Sequence, residues 1–327
     1  MKNILNRLIN KETLSAKEAE EVLLDITNGK YNDYQLVSFL TVFLMRQLTV
    51  SEFKGFREAL LKQSLNIDLG NYETIDLVGT GGDGKDTFNI STLASFVVAG
   101  AGYKVTKHGN YSSSSVSGSS NVLEYLGYKF TNDEGILKKQ LENANITFLH
   151  APLFHPALKN VASVRKQLGL KTIFNLLGPV ANPSRPKHQL LGVYSKEIGE
   201  LYSQLLKEAD VNYHIVHSTD GYDEISLTSN FDLFSDGKHK EITPQEIGFE
   251  KAQQSDLFGG DSVEKAGELF RNIIEGKGSD SQNNAVIVNA AYAIKTISGK
   301  SLEESIAKAR ESLLRGKAKE SLELLIK

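Results

Sequence analysis

The chain has 327 residues, of which 40% are apolar and 24% charged, with a net charge of −3 and no cysteine. That length suits one large domain or two, and the composition is that of a soluble globular protein. The charge argues against a globally basic nucleic-acid binder. The absence of cysteine excludes disulfides, thiolate nucleophiles and cysteine-ligated zinc. The N-terminal stretch MKNILNRLINKETLSAKEAEE is mixed and charged, and no run reaches the ~18 apolar residues of a membrane span. The expectation is a cytoplasmic protein with neither a membrane nor a nucleic-acid partner.

The first 65 residues read as helix only. Ser15 with Glu18 forms a capping box, and Gly29 stops the helix that follows. Asp33 is the expected cap of YQLVSFLTVFLMRQL, a stretch apolar on most sides and so expected to be buried between helices. Thr49 with Glu52 opens the next helix. No strand signal precedes residue 74.

From there strands alternate with helices. TIDLVG (74–79), YKVTKH (103–108), ITFLH (146–150), QLLGVYS (189–195) and NYHIVHS (212–218) read as buried strands. Helical patterns occupy 91–101, 119–126, 133–143, 155–168 and 197–209. Such alternation predicts an α/β fold, with a largely parallel central sheet flanked by helices. FDLFSDGKHKEIT carries an Asp-Gly turn and reads as a hairpin, and the tail from Asp261 is helical. Five of the six prolines fall between Pro152 and Pro186, which marks an expected crossing between the helical and α/β parts. The predicted organisation is a small helical domain over residues 1–68, joined by helices around 165–185, and a larger α/β domain over 72–327.

Ligands of parallel sheets bind beyond the carboxyl ends of the strands. After the first strand comes GTGGDGKDTFNIST (79–92). Its spacing is neither a Walker A nor a dinucleotide fingerprint. It admits two readings, a Gly-rich connecting turn or an anion site whose N–H groups open a helix. After the second strand comes KHGNYSSSSVSGSSN, with seven serines in fifteen residues. A flexible linker does not usually join a buried strand to an amphipathic helix. Small residues and hydroxyls suit a loop wrapped around a multiply charged oxyanion, with Lys107 as a point charge.

After the strand at 212–218 comes TDGYDEISL. Asp223 and Glu224 read either as a solvated turn or, beside phosphate, as magnesium ligands. On the helix after ITFLH, Arg165 is either a surface charge or a carboxylate clamp. His150 and His155 show no zinc spacing and count as pocket lining at most.

Together, GTGGDGKDTFNIST, KHGN with its serine run and SGSSNVLEYLG, HPALKNVASVRKQLGLKTIFNLLGPVANP and DGYDEISL resemble the anthranilate phosphoribosyltransferase family, in order and spacing and over essentially the whole chain. The resemblance implies a helical domain joined to an α/β domain, a site in the cleft between them, and a homodimer through the helical domain. It implies that Gly79, Gly82, Asp83, Thr87, Asn89, Ile90, Ser91, Thr92, Lys107, His108, Gly109, Asn110, Tyr111, Ser112, Ser113, Ser114, Ser115 and Ser119 surround phosphoribosyl pyrophosphate. Gly79, Asn110 and Arg165 would hold anthranilate, with His108 and Pro179 near its ring. Ser91, Asp223 and Glu224 would hold Mg²⁺. The chain departs from the family at Tyr111, usually arginine, and at Val116, often lysine, and both changes remove positive charge from that loop.

The implied reaction is displacement of pyrophosphate from the ribose C1 by the neutral aromatic amine of anthranilate, which needs no dedicated general base. A pyrimidine nucleoside phosphorylase of the same fold is the nearest alternative, but those chains are longer, with an extra C-terminal domain. A non-catalytic, nucleic-acid-binding member of the fold is the other, and it would need a basic stripe.

Overall fold

The computed structural model describes residues 1–112 and 117–327. The chain divides into two compact units, one formed by Met1–Asn66 and Ala151–Pro183, the other by Ile67–His150 and Ser184–Lys327.

The first unit is helical. Its elements are α1 (Lys2–Ile9), α2 (Ala16–Thr27), α3 (Asp33–Met45) and α4 (Val50–Gln63). Capping boxes at Ser15 and Thr49 open α2 and α4, each satisfying N–H groups that the first helical turn leaves unpaired. The α3 cap is Asn32 rather than Asp33, because Asn32 completes a reciprocal box with Gln35 while Asp33 already lies inside the first turn. Burial of α3 is also one-sided. Leu36, Phe39, Leu40 and Phe43 are in the core, while Tyr34 and Met45 are 85% and 83% exposed.

The second unit is built on a seven-stranded sheet among the described residues, in the order β3-β2-β1-β4-β5-β6-β7. The strands are β1 (Thr74–Gly79), β2 (Lys104–Gly109), β3 (Ile146–His150), β4 (His188–Gly192), β5 (Asn212–Ser218), β6 (Phe231–Ser235) and β7 (Lys238–Ile242). The first five run parallel, and β6 and β7 add an antiparallel hairpin. Asp236 and Gly237 turn that hairpin, both with positive φ, as a tight two-residue connection requires.

Helices α5 (Ile90–Gly100), α6 (Ser119–Tyr125) and α7 (Glu134–Ala144) follow the first strands. The chain then passes through α8 (Ala151–Phe154), α9 (Lys159–Leu168) and α10 (Ile173–Leu177) of the helical unit. It returns to the sheet for α11 (Lys196–Lys207) and ends in α12 (Val263–Ile274), α13 (Asp280–Ser298), α14 (Leu302–Leu314) and α15 (Lys317–Ile326). The alanine-rich α13 is buried from Ala285 to Ile294 and packs on α5, β1, β4 and β5.

The order of strands sets the position of the site. From β1 the chain winds outward through β2 and β3, then restarts on the other side of β1 with β4 and β5. The reversal falls between β1 and β4, whose carboxyl ends meet at the Gly79–Gly192 pair. Such a switch point opens a crevice for ligand.

Candidate active site

Gly79 and Gly192, side by side, leave a gap that Asp223 fills. A Cβ on Gly79 would collide with the Asp223 carboxylate, and one on Gly192 with the Asp223 carbonyl. The same crevice is lined by Leu77, Gly79, Ser91, Gly192, Asp223 and Glu224. The carboxylate of Asp223 accepts the Gly81 N–H at 2.6 Å, and that of Glu224 accepts the Ser91 N–H at 2.9 Å. The glycine-rich loop and the first turn of α5 therefore both donate to the acidic pair.

Burial pushes the Asp223 carboxyl well above its ordinary range, and the charge of Asp83 pushes it further. Glu224 is raised by burial, then by the charges of Asp223 and Asp83. Burial and crowding therefore disfavour the charged form of both carboxyls, a cost that a bound cation would offset. Their oxygens suit a hard cation such as Mg²⁺, which takes one or two carboxylates and completes its shell with phosphate oxygens and water. Among the described residues no group of three or more His, Cys, Asp or Glu could by itself hold a metal ion.

The turn bearing the pair is fixed from below by residues that the sequence pattern did not single out. Asn289 of α13 accepts the Ile225 N–H at 3.1 Å and donates to the Ile225 carbonyl at 2.9 Å. The Ser218 hydroxyl donates to the Glu224 carbonyl at 2.7 Å and accepts the Ser226 N–H at 3.1 Å. The available signal was a lone asparagine inside the apolar run AVIVNAAYA.

Around this centre the loop residues take up distinct roles. Gly81, Gly82 and Gly84 all have positive φ, so the loop turns where other residues would be strained. Asp83 accepts the Lys85 N–H at 3.2 Å. Thr87 bridges to Phe258. Ile90 and Thr92 are buried under the loop, which makes them supports of the α5 N-terminus. Asn89 donates to the Ser117 carbonyl at 3.1 Å and so ties the two strand-end loops together.

Lys107 is placed differently from a loop point charge. It is 2% exposed, and its ammonium donates to the Leu77 carbonyl at 2.5 Å. Burial lowers it, opposed by the charges of Asp76 and Glu224. The His108 N–H donates to Asp76 at 3.1 Å. A Cβ on Gly109 would collide with Phe148. The Asn110 carbonyl accepts from the Ser119 hydroxyl and the Ser120 N–H. The Ser112 N–H donates to Asn121 at 3.3 Å. The expected ligands Ser113, Ser114 and Ser115, and the departure at Val116, lie outside the described residues. Tyr111 stands edge-on to the His150 ring, with centroids 4.9 Å apart, and its hydroxyl donates to Glu124 at 2.7 Å.

Two expected site residues belong to the helical unit. Pro179 is buried there. Arg165, on the last turn of α9, holds its guanidinium 5.2 Å from the centre of the Phe174 ring. Burial lowers it from its ordinary value, and it makes no side-chain hydrogen bond or ion pair among the described residues. His155, in the same unit, shares its Nε2 with the Ala181 carbonyl and is pulled by burial down to about 4.

Comparison with known proteins agrees with this architecture. Residues 2–64 match the glycosyl transferase family, helical bundle domain, and residues 71–319 match the glycosyl transferase family, a/b domain. The anthranilate phosphoribosyltransferase of Christiangramia forsetii is 54% identical over 327 residues, covering 100% of this chain and 99% of that protein. That of Cytophaga hutchinsonii is 50% identical, covering 100% of both. The crystal structure of the Thermus thermophilus anthranilate phosphoribosyltransferase superposes with a TM-score of 0.92 at 33% identity, over 98% of each chain. The Saccharomyces cerevisiae enzyme in complex with PRPP and Mg gives a TM-score of 0.90 at 29% identity, over 98% of this chain and 95% of that one. The chain belongs to this two-domain glycosyl transferase family and, within it, to the anthranilate phosphoribosyltransferases.

Proposed function

We propose that the chain transfers the 5-phosphoribosyl group of phosphoribosyl pyrophosphate to the amine of anthranilate, releasing pyrophosphate, as a step of tryptophan biosynthesis. The observation that carries this reading is the acidic pair at the sheet's switch point. Asp223 and Glu224 are crowded, and each is met by an N–H of a loop suited to phosphate. Polyanion and cation complement each other there. When bound, Mg²⁺ offsets the charge that grows on the departing pyrophosphate.

The protein's own contribution is positioning. Backbone N–H groups and hydroxyls of the loops at 79–92 and 107–119 hold the phosphates, and Asp223 and Glu224, with Ser91, hold the metal. Arg165, Asn110 and Gly79 orient the acceptor, with His108 and Pro179 near its ring. The aromatic amine is neutral near pH 7, so bringing its nitrogen to C1 supplies much of the rate without a general base. A homodimer through the helical unit belongs to the same reading. Its support is the stripe on α3 where Tyr34 and Met45, about three turns apart, both project into solvent.

The test of the activity is loss of anthranilate fluorescence with phosphoribosyl pyrophosphate and Mg²⁺, abolished by chelation and restored by added metal. No consumption at saturating substrates would sink the reading. Sedimentation tests the dimer, with Met45→Glu expected to shift it to monomer. A wild type that is already monomeric at micromolar concentration would remove that part of the proposal.

A further inference from the structure

Arg165 lies one turn from the end of α9, where Gly169 adopts φ +61 and its N–H bonds the Arg165 carbonyl. That left-handed residue reverses the chain. The new helix α10 starts at Ile173, with the Thr172 N–H held by the Asn175 side chain at 3.0 Å. The reversal returns Phe174 to Arg165. Phe174 is buried, and its ring centre lies 5.2 Å from the guanidinium carbon.

An arginine on an open helix face samples many rotamers, and ordering it on binding costs affinity. An acidic partner would order it but would also occupy its donors. A ring face orders it without using any. The guanidinium keeps all five N–H donors available in a fixed plane. Among the described residues Arg165 has that ring and no anionic partner.

We propose that Phe174 is a positioning residue, which holds the Arg165 fork open for the planar carboxylate of the aromatic acceptor. This deepens the reading above and rests on Arg165 as the ligand of that carboxylate. Phe174 does not itself touch the reacting atoms. Its effect is on acceptor affinity, through Arg165 alone.

The experiment is steady-state kinetics on Phe174→Leu, Phe174→Tyr, Arg165→Gln and the double variant Phe174→Leu/Arg165→Gln, with melting temperatures recorded in parallel. Phe174→Leu is expected to raise the KM for anthranilate about threefold to tenfold, the size of one lost cation–π contact. The KM for phosphoribosyl pyrophosphate and kcat should stay within about twofold of wild type on the same scale. Phe174→Tyr, which keeps the ring, should restore the anthranilate KM even if its melting temperature differs. The double variant should be no worse for anthranilate than Arg165→Gln alone, since the ring acts through the arginine. If Arg165→Gln raises the anthranilate KM while Phe174→Leu leaves it unchanged, Phe174 is core packing only and the inference falls while the Arg165 reading stands. If Arg165→Gln leaves that KM unchanged, both fall together.

Discussion

The carboxylate of Asp223 occupies the space that a side chain on Gly79 would need. One residue ends β1, the other lies past β5, and between them the strand β4 contributes Gly192, which clears room for the Asp223 carbonyl. The position of Asp223, and with it of the proposed metal site, is therefore shaped by two absent Cβ atoms. Gly79→Ala and Gly192→Ala should displace Asp223 by a sizeable fraction of an ångström or more. Displacements of that order cost up to about a hundredfold in rate. Both variants are expected to fold, with circular dichroism like wild type, and to lose roughly tenfold to a hundredfold in kcat/KM. An alanine variant at full activity would show that Asp223 need not sit where it does.

The paired variant Asp223→Asn/Glu224→Gln separates function from fold. It removes the two carboxylates proposed to bind metal while keeping their size. Ligands that bind only the native state raise its melting temperature, so phosphoribosyl pyrophosphate with Mg²⁺ should raise that of the wild type. The shift should vanish in the paired variant, together with turnover, while its unliganded melting temperature does not fall. Retention of the ligand-induced shift would mean that the substrate's phosphates and metal are held elsewhere.

Asn289 links the core to this centre. Its amide is buried in α13 and bonds both backbone groups of Ile225, the residue after Glu224. Asn289→Leu leaves those groups unpaired in the interior, at about 1–3 kcal/mol each. The expectation is a lower melting temperature and, from a loosened Asp-Glu turn, a higher requirement for Mg²⁺. Denaturant titration and a metal titration at fixed substrate read the two effects separately. A variant that loses stability but keeps the wild-type Mg²⁺ requirement would confine Asn289 to packing.

The strands were legible because their signal is local. The stretches read as strands at 74–79, 146–150 and 212–218 coincide with β1, β3 and β5. Buried parallel strands are short apolar runs between turn residues, and nothing distant is needed to recognise them. The loops after β1 and β5 stood out for the same reason, and the fold brings Gly79, Ser91, Asp223 and Glu224 to one crevice. What escaped depends on distant partners. Lys107 looked like a loop cation because the sequence does not show that the Leu77 carbonyl lies within reach of its ammonium. Asn289 looked like a polar interruption because its partner is 64 residues away. The cap of α3 was misplaced by one residue, since Asn32 and Asp33 are both good caps and only the Gln35 contact decides between them.

Stability at low pH should depend on Glu52. It is fully buried at the start of α4, where its carboxylate meets Arg46, the Leu14 N–H at 2.9 Å and the Thr49 N–H at 3.0 Å. Burial alone would raise this carboxyl, but those partners outweigh it and the group is lowered. A carboxyl lower in the folded state than in the unfolded chain stabilises above its unfolded value and loses that contribution as pH falls through the folded value. The helical unit should therefore weaken below about pH 4.5, the ordinary range of glutamate. Glu52→Gln should lose about 3–5 kcal/mol at pH 7, as expected when one member of a buried pair is removed. The difference from wild type should shrink in acid. A constant difference between pH 7 and pH 3 by denaturant melts would rule out this role.

Tyr111 stands where the family resemblance implies arginine, and its surroundings decide what an arginine would do there. The tyrosine is 41% exposed, its hydroxyl bonds Glu124, and its ring rests edge-on against His150, which is itself stacked on Phe130 at 4.3 Å. An arginine at 111 would enter beside Glu124, and that carboxylate would take up much of its charge. What remains is a partly solvated cation near the proposed phosphate site, worth roughly 0.2–1 kcal/mol and weakened by salt. Tyr111→Arg should thus lower the KM for phosphoribosyl pyrophosphate by less than about tenfold at low ionic strength, and leave that for anthranilate unchanged. Pairing it with Glu124→Gln frees the cation and should deepen the gain. Tyr111→Phe, which keeps the ring and loses only an exposed hydrogen bond, should change the same KM by less than about threefold. If Tyr111→Phe instead costs as much as Tyr111→Ala, the hydroxyl's hold on Glu124 sets the shape of the loop. If Tyr111→Arg gains far more than tenfold even with Glu124 in place, the native loop is short of positive charge and its hydroxyls and N–H groups do not make up the difference.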